Sequence, residues 1–374
     1  MKRVLIYILT FAIVVYVVTS VTGYNYLYKA LWYNYVDIED YKIFPNRTVD
    51  KGSAMRWTTG ANYNAIQPDL QLRRTLERLE STALVVVRND SLLYEEYWDG
   101  YGKSSVSNSF SIAKSVVALL TGFALQDRAI KSLDEPIGNY LREFADGDKS
   151  KITIRHLLTM TSGTDWDEAY SSLFSITTEA YYGNDLKKIY TSVNVKDEPG
   201  TVWEYKSGDT GLLALVLEKA TGKTLSQYAS EKLWKPLHAE HPALWSLDSE
   251  NGVEKAYCCF NATARDFARI GSLMLNKGSF RGTQLLDKNY VELVLKAVNL
   301  PERNGQSVDY YGMQWWVLPD RDGVFYARGI LGQYILVVPE KNTVVVRLGK
   351  ARGEPVNTTH EEVYALVDWI LKSY

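Results

Sequence analysis

The stretch Ser111-Ile112-Ala113-Lys114-Ser115-Val116-Val117-Ala118-Leu119-Leu120-Thr121-Gly122-Phe123-Ala124-Leu125 places Ile112, Val116, Leu119, Leu120, Phe123 and Leu125 at helical intervals. It reads as a helix buried over most of its surface. Ser111 and Lys114 stand three apart at its start, on one helical face, so the amine can reach the hydroxyl. A lysine on a buried helix is costly while charged; desolvation therefore favours the neutral amine, which can take the serine proton. The helix N-terminus adds backbone N–H groups where an oxyanion would form.

Upstream of this helix, Asp69 to Leu79 has helical spacing, and Ala83 to Val87 and Leu92 to Trp98 are β-rich runs around the turn Arg88-Asn89-Asp90-Ser91. Downstream, helical patterns recur at Pro136 to Phe144, Arg155 to Met160 and Gly211 to Ala220. Three short β-runs follow, Gly323 to Arg328, Tyr334 to Val338 and Thr343 to Leu348, and then a closing helix over Glu361 to Leu371. Strands at both ends and helices between them predict an α+β fold. One antiparallel sheet flanked by helices is shared by the two ends, and a mostly helical lobe is inserted at about 135–260. A cleft between such lobes is a usual place for a small-molecule site.

Two further groups of residues bear on that cleft. Tyr205-Lys206-Ser207 precedes the apolar helix that begins near Gly211. A tyrosine hydroxyl beside a lysine and a nucleophile can shuttle a proton to a leaving group, and Ser207 can hydrogen-bond Lys114 or a substrate. Ala327-Arg328-Gly329-Ile330-Leu331-Gly332-Gln333 lies where one strand ends and the next begins. Its glycines admit a ligand close to the backbone, so the Ile330 N–H is a candidate second oxyanion donor.

At the N-terminus, Lys2 and Arg3 precede the apolar run Val4 to Val21. About 18 helical residues approach the roughly 30 Å of bilayer hydrocarbon. Positive charges before the run and Asp37, Glu39 and Asp40 after it place the N-terminus inside, and Tyr24, Tyr26, Tyr28, Trp32, Tyr33 and Tyr35 follow like an interfacial aromatic belt. Residues 1–35 are therefore expected as a membrane anchor or a cleaved signal segment, and 36–64 as a tether. Residues 65–374 are expected as the exported domain, extracytoplasmic and periplasmic in a Gram-negative cell, or secreted if the segment is cleaved.

Composition narrows the partners. Lys and Arg total 42 against 44 Asp and Glu, a net charge of −2, with no basic run, which disfavours nucleic acid. The 4 histidines are scattered, and only His238 and His241 are neighbours, so neither a metal nor any other cofactor is expected. Cys258 and Cys259 are adjacent and read as small packing residues. Asn46, Asn261 and Asn357 each open an N-x-S/T triplet, a pattern frequent by chance.

Taken together, S-x-x-K at Ser111 and Lys114, the second triplet at Tyr205 to Ser207 and the glycine-rich third element resemble the serine β-lactamase and penicillin-binding superfamily, which holds class C β-lactamases, D-alanyl-D-alanine carboxypeptidases and esterases. Ile152 to Gly163 and Thr263 to Arg269 are similar to it too, and the Tyr-x-Ser and Gly-x-x-Gly-Gln elements most resemble its 6-aminohexanoate-dimer hydrolase branch. The resemblance covers about residues 65–374. It implies a β-lactamase/transpeptidase-like fold and a serine hydrolase of small esters or amides. Ser111 would be the acylated nucleophile, Lys114 its base and Tyr205 the proton relay, with Ser111 and Ile330 lending oxyanion N–H groups. Tyr170 matches a tyrosine that contacts an amide substrate in that branch. Two departures stand out: Ser207 replaces the usual Asn, and Ala327-Arg328-Gly329 lacks the first-position Lys that holds a substrate carboxylate, a task left to Arg328 if its side chain faces the cleft. A penicillin-binding carboxypeptidase or β-lactamase is the alternative activity, and a non-catalytic envelope binding protein the alternative class.

Overall fold

The computed structural model describes residues 2–374. Its centre is a seven-stranded sheet whose strands run, edge to edge, Trp316–Val317, Phe325–Gly329, Gln333–Val338, Thr343–Gly349, Ser81–Arg88, Ser91–Tyr97 and Thr58–Thr59. All neighbours are antiparallel except the last pair. The two ends of the chain do share one sheet: Thr343 to Gly349 pairs along Ser81 to Arg88. Alternation along these strands sorts two cores. Val85, Val87, Ala327, Ile335, Val344 and Val346 lie on the face covered mainly by the helix Ala264–Leu275, with the helix Ile112–Gln126 against the strands Phe325–Gly329 and Gln333–Val338, whereas Leu84, Val86, Tyr326, Tyr334, Leu336 and Val345 face the C-terminal helix Glu361–Ser373.

The helix Ile112–Gln126 is buried from Ile112 through Ala124 and packs against Ser207–Thr221, the longest helix of the inserted lobe. The helical pattern at Pro136 to Phe144 resolves into two short 3₁₀ turns, Ile137–Asn139 and Arg142–Phe144. The inserted region is less uniformly helical than its loops and patterns suggest. Toward its end Ala243–Ser246 and Phe260–Thr263 are strands of a second, four-stranded sheet completed by Asn46–Val49 and Val106–Asn108. The stretch expected as a tether thus supplies one strand to each sheet. Strands of two to four residues carry too little alternation to be read from sequence.

The small sheet delivers the chain to Ser111. Asn108 pairs with Asn261, its N–H donates to the Ile38 carbonyl, and the Ser109 N–H donates to the Phe260 carbonyl. Phe110 then adopts φ +45°, a conformation that costs a bulky residue about 1–3 kcal/mol and persists only where its surroundings dictate it. Here the Asn108 side chain accepts the Phe110 N–H at 3.0 Å.

From the other side, the strand Phe325–Gly329 reaches the same point. Only Phe325 and Tyr326 are paired on its outer edge, to Val317 and Trp316, so Ala327 to Gly329 leave an open edge toward the lobe. Gly329 presses on the segment before Ser111: a Cβ there would lie 2.1 Å from the Ser109 carbonyl oxygen and 3.2 Å from the Phe110 Cβ. Gly329→Ala should therefore push the strand off this contact, lowering the thermal unfolding midpoint by an amount equivalent to about 1–3 kcal/mol. An unchanged midpoint would show that the two segments are not in contact.

Candidate active site

Ser111 occupies the N-cap position of its helix, yet its hydroxyl caps no backbone amide. It meets Lys114 instead: Nζ of Lys114 lies 3.0 Å from Oγ of Ser111 and donates at 2.9 Å to the Tyr257 carbonyl. Lys114 is 1% exposed, whereas Ser111 is partly open to solvent. The two rings beside the amine are Tyr205, with its centroid 5.0 Å away, and Tyr257, 5.5 Å away. The three residues singled out from the sequence, Ser111 and Lys114 by their spacing and Tyr205 by the family resemblance, lie together in the structure; the Tyr257 carbonyl had no sequence signature. Tyr205 touches the amine through its ring face, and its own ring packs on Tyr311 and Trp316.

Ile330 follows Gly329 directly and sits in the tight turn Ile330–Gly332, in which Leu331 has φ +60° and Gly332 φ +79°. Two buried side chains hold that turn. Gln333 donates to the carbonyls of Ile330 and Gly349, while the Arg347 guanidinium donates to those of Leu331 and Gly332. Gly329, the residue before this turn, lies against Ser109 and Phe110.

Ser207 does not bond Lys114. Its N–H and hydroxyl both donate to Glu168, at 2.6 and 2.5 Å. The same carboxylate accepts the Trp166 indole N–H at 2.7 Å and the Tyr170 hydroxyl at 2.5 Å. Glu168 thus ties the loop carrying Tyr170 to the start of the lobe helix, a role hidden in the sequence because an acid in a polar loop reads as solvated. Burial first, and the Glu168 charge second, push the Tyr257 phenol well above its ordinary range. Nearby, burial pushes the Asp209 carboxyl up to about 7, against the opposing pull of Lys206 and of the Ser162 hydroxyl, which donates to Asp209 at 2.6 Å.

Arg328 alternates with Ala327 and lies on the sheet face of Tyr326. Its guanidinium stacks on Trp316, 3.4 Å from the ring centre, and donates to the Thr358 carbonyl at 3.3 Å. The same indole packs on the Tyr205 ring. Cys258 and Cys259, expected as separate packing residues, are instead joined by a disulfide immediately after Tyr257. The chain turns sharply there, with Cys259 at φ +67°, and the Cys259 carbonyl is held by the Ser246 N–H and the Asn261 amide. The loop that presents the Tyr257 carbonyl is therefore cross-linked and pinned to the small sheet.

A hydroxyl-bearing helix start, a buried amine against it and a glycine-edged strand opposite, at the junction of a sheet and a helical lobe, define a serine hydrolase. The chain belongs to the Beta-lactamase family, which it matches over residues 71–368. It is similar to the 6-aminohexanoate-dimer hydrolase of Paenarthrobacter ureafaciens, 27% identical over 297 residues that cover 75% of each chain. A solved structure from Bacillus anthracis, provisionally described as a 6-aminohexanoate-dimer hydrolase, shares the fold with a TM-score of 0.77 at 23% identity, covering 90% of this chain and 92% of that one. A family VIII carboxylesterase shares it with a TM-score of 0.64 at 13% identity, over 85% and 99%.

Replacing Glu168 by Ala would strip the acceptor from the buried Ser207 N–H and hydroxyl and release Tyr170. A loss of about 1–3 kcal/mol in unfolding free energy is expected, with Glu168→Gln retaining part of it; equal stability of Glu168→Ala and wild type in urea titration would refute the hub.

Proposed function

We propose that the protein is a membrane-tethered, exported serine hydrolase that cleaves a small ester or amide through an acyl-enzyme on Ser111. The observation that carries this reading is the 3.0 Å approach of the Lys114 amine to the Ser111 hydroxyl at the open end of an otherwise buried helix. In its neutral form the amine takes the hydroxyl proton as Oγ bonds to the substrate carbonyl carbon. The resulting oxyanion faces the N–H groups of Ser111 and Ile330. Tyr205 passes the proton to the departing alcohol or amine as that bond breaks, leaving Ser111 esterified. The same groups then take a proton from water as its oxygen adds to the acyl carbon, the bond from that carbon to Ser111 Oγ breaks with release of the carboxylic acid, and the abstracted proton passes to Oγ. In this reading Tyr170, on the Glu168-anchored loop, contacts an amide substrate.

An amide substrate is favoured by the likeness to a 6-aminohexanoate-dimer hydrolase and an ester by the likeness to a carboxylesterase. Penicillin or D-alanyl peptide hydrolysis is less well supported: the position of the carboxylate-holding lysine is occupied by Ala327, which is buried, and Arg328 is engaged with Trp316.

Export and tethering rest on the helix Lys2–Thr22, of mean hydropathy 2.6 and with none of its apolar window buried. Lys2 and Arg3 at its head orient it with the domain outside the cytoplasm. The Cys258–Cys259 disulfide accords with an oxidising compartment.

Ser111→Ala should reduce hydrolysis of p-nitrophenyl butyrate by about 10³-fold or more, to the uncatalysed background, while leaving the unfolding midpoint unchanged. Intact-mass analysis should find one fluorophosphonate adduct on wild type and none on the variant. Turnover by the variant at the wild-type rate would refute the assignment.

A further inference from the structure

The loop that follows Gly163 has two ends with different surroundings. At Glu168 it is bonded to Ser207, next to Tyr205 and the candidate catalytic amine. A few residues further on it turns outward and exposes two neighbouring large side chains, Leu173 at 40% and Phe174 at 70%. The ring of Phe174 packs edge-on against Tyr24, with centroids 6.1 Å apart.

Tyr24 belongs to the short link between the apolar helix Lys2–Thr22 and a second helix, Tyr26–Tyr33. That second helix is two-faced. Tyr26 and Ala30 are buried, and Tyr33 stacks on Tyr182 with centroids 6.4 Å apart, fastening the helix to the hydrolase lobe. Its other face exposes Leu31 at 63% and Trp32 at 83%, and Tyr35 beyond its end is 81% exposed. The Tyr28 hydroxyl lies 2.6 Å from the Thr19 hydroxyl, so the two N-terminal helices are joined as well. Exposed aromatic and aliphatic groups thus lie on the apolar helix, on the second helix and at the tip of the loop, and the link and the loop meet at the Tyr24–Phe174 contact. Monomeric soluble proteins rarely expose such a patch, and its tyrosines and tryptophan are the residue types that settle at the headgroup level.

We infer that the bilayer surface covers this patch, so that the mouth of the Ser111 cleft opens at the lipid–water interface and the substrate is an amphiphile: an ester or amide whose hydrocarbon chain remains in the membrane while its carbonyl enters the cleft. The inference rests on the Ser111 hydrolase reading and adds to it the class of substrate. The apolar helix fixes the distance of the cleft from the bilayer, and the loop tip with Leu173 and Phe174 supplies the contact along which an acyl chain leaves the membrane. Nothing in this arrangement requires the substrate to be free in water.

The test uses full-length protein reconstituted in phosphatidylcholine vesicles, with p-nitrophenyl acetate as the soluble ester and p-nitrophenyl palmitate dissolved in the same vesicles as the embedded one. The triple variant Trp32→Ser, Leu173→Ser, Phe174→Ser changes only exposed side chains outside the reacting groups. It should hydrolyse the acetate within about twofold of wild type and the palmitate at least about tenfold more slowly. An equal effect on both esters, or wild-type turnover of the acetate without the embedded palmitate, overturns the inference and leaves the hydrolase reading intact. Turnover of neither ester by wild type overturns the hydrolase reading and this inference with it.

Discussion

The amine of Lys114 is the constraint on which the rest of the molecule depends. It is enclosed by protein and offered two oxygen acceptors, the Ser111 hydroxyl and the Tyr257 carbonyl, and no ion-pair partner for it occurs among the described residues. A buried polar group without partners costs several kcal/mol, so the surrounding structure must keep both acceptors in place. Tyr205 and Tyr257 complete the enclosure with ring faces, which attract a cation without supplying a counter-charge. The result is a buried amine in contact with one partly exposed hydroxyl, that of Ser111.

Keeping that contact is the work of three separate parts of the chain. The small sheet delivers Asn108 and Ser109 and forces Phe110 into its positive φ, turning Ser111 outward. The large sheet brings Gly329 so close to Ser109 that no side chain fits between them. The disulfide loop holds the Tyr257 carbonyl, and it is pinned through Cys259 to the same small sheet. The first two parts meet at Ser109, just before Ser111, and the third is tied to the small sheet at Asn261 and Ser246.

Much of this was legible in the sequence where one local rule governs. The three-residue spacing of Ser111 and Lys114 on an apolar helix dictates that they touch, and the long β-runs around residues 85, 335 and 345 dictate a sheet. What stayed hidden depended on backbone atoms or on distant partners. The Tyr257 carbonyl is a main-chain group, which every residue possesses. Glu168 earns its place only because Ser207, Trp166 and Tyr170 converge on it. Adjacent cysteines argue for packing until a positive φ at Cys259 brings their sulfurs together. The strands of the small sheet are too short for alternation to show, and the direction of Arg328 waits on the register with Tyr334.

The central claim is that Lys114 activates Ser111, and it is tested most directly by the rate at which a fluorophosphonate modifies Ser111 in wild type and in Lys114→Met, with near-ultraviolet circular dichroism to verify packing. The account predicts native-like spectra and a second-order rate constant lower by about 10²- to 10⁴-fold in the variant, the range expected for removal of a general base. Equal rates in two equally folded proteins would contradict it.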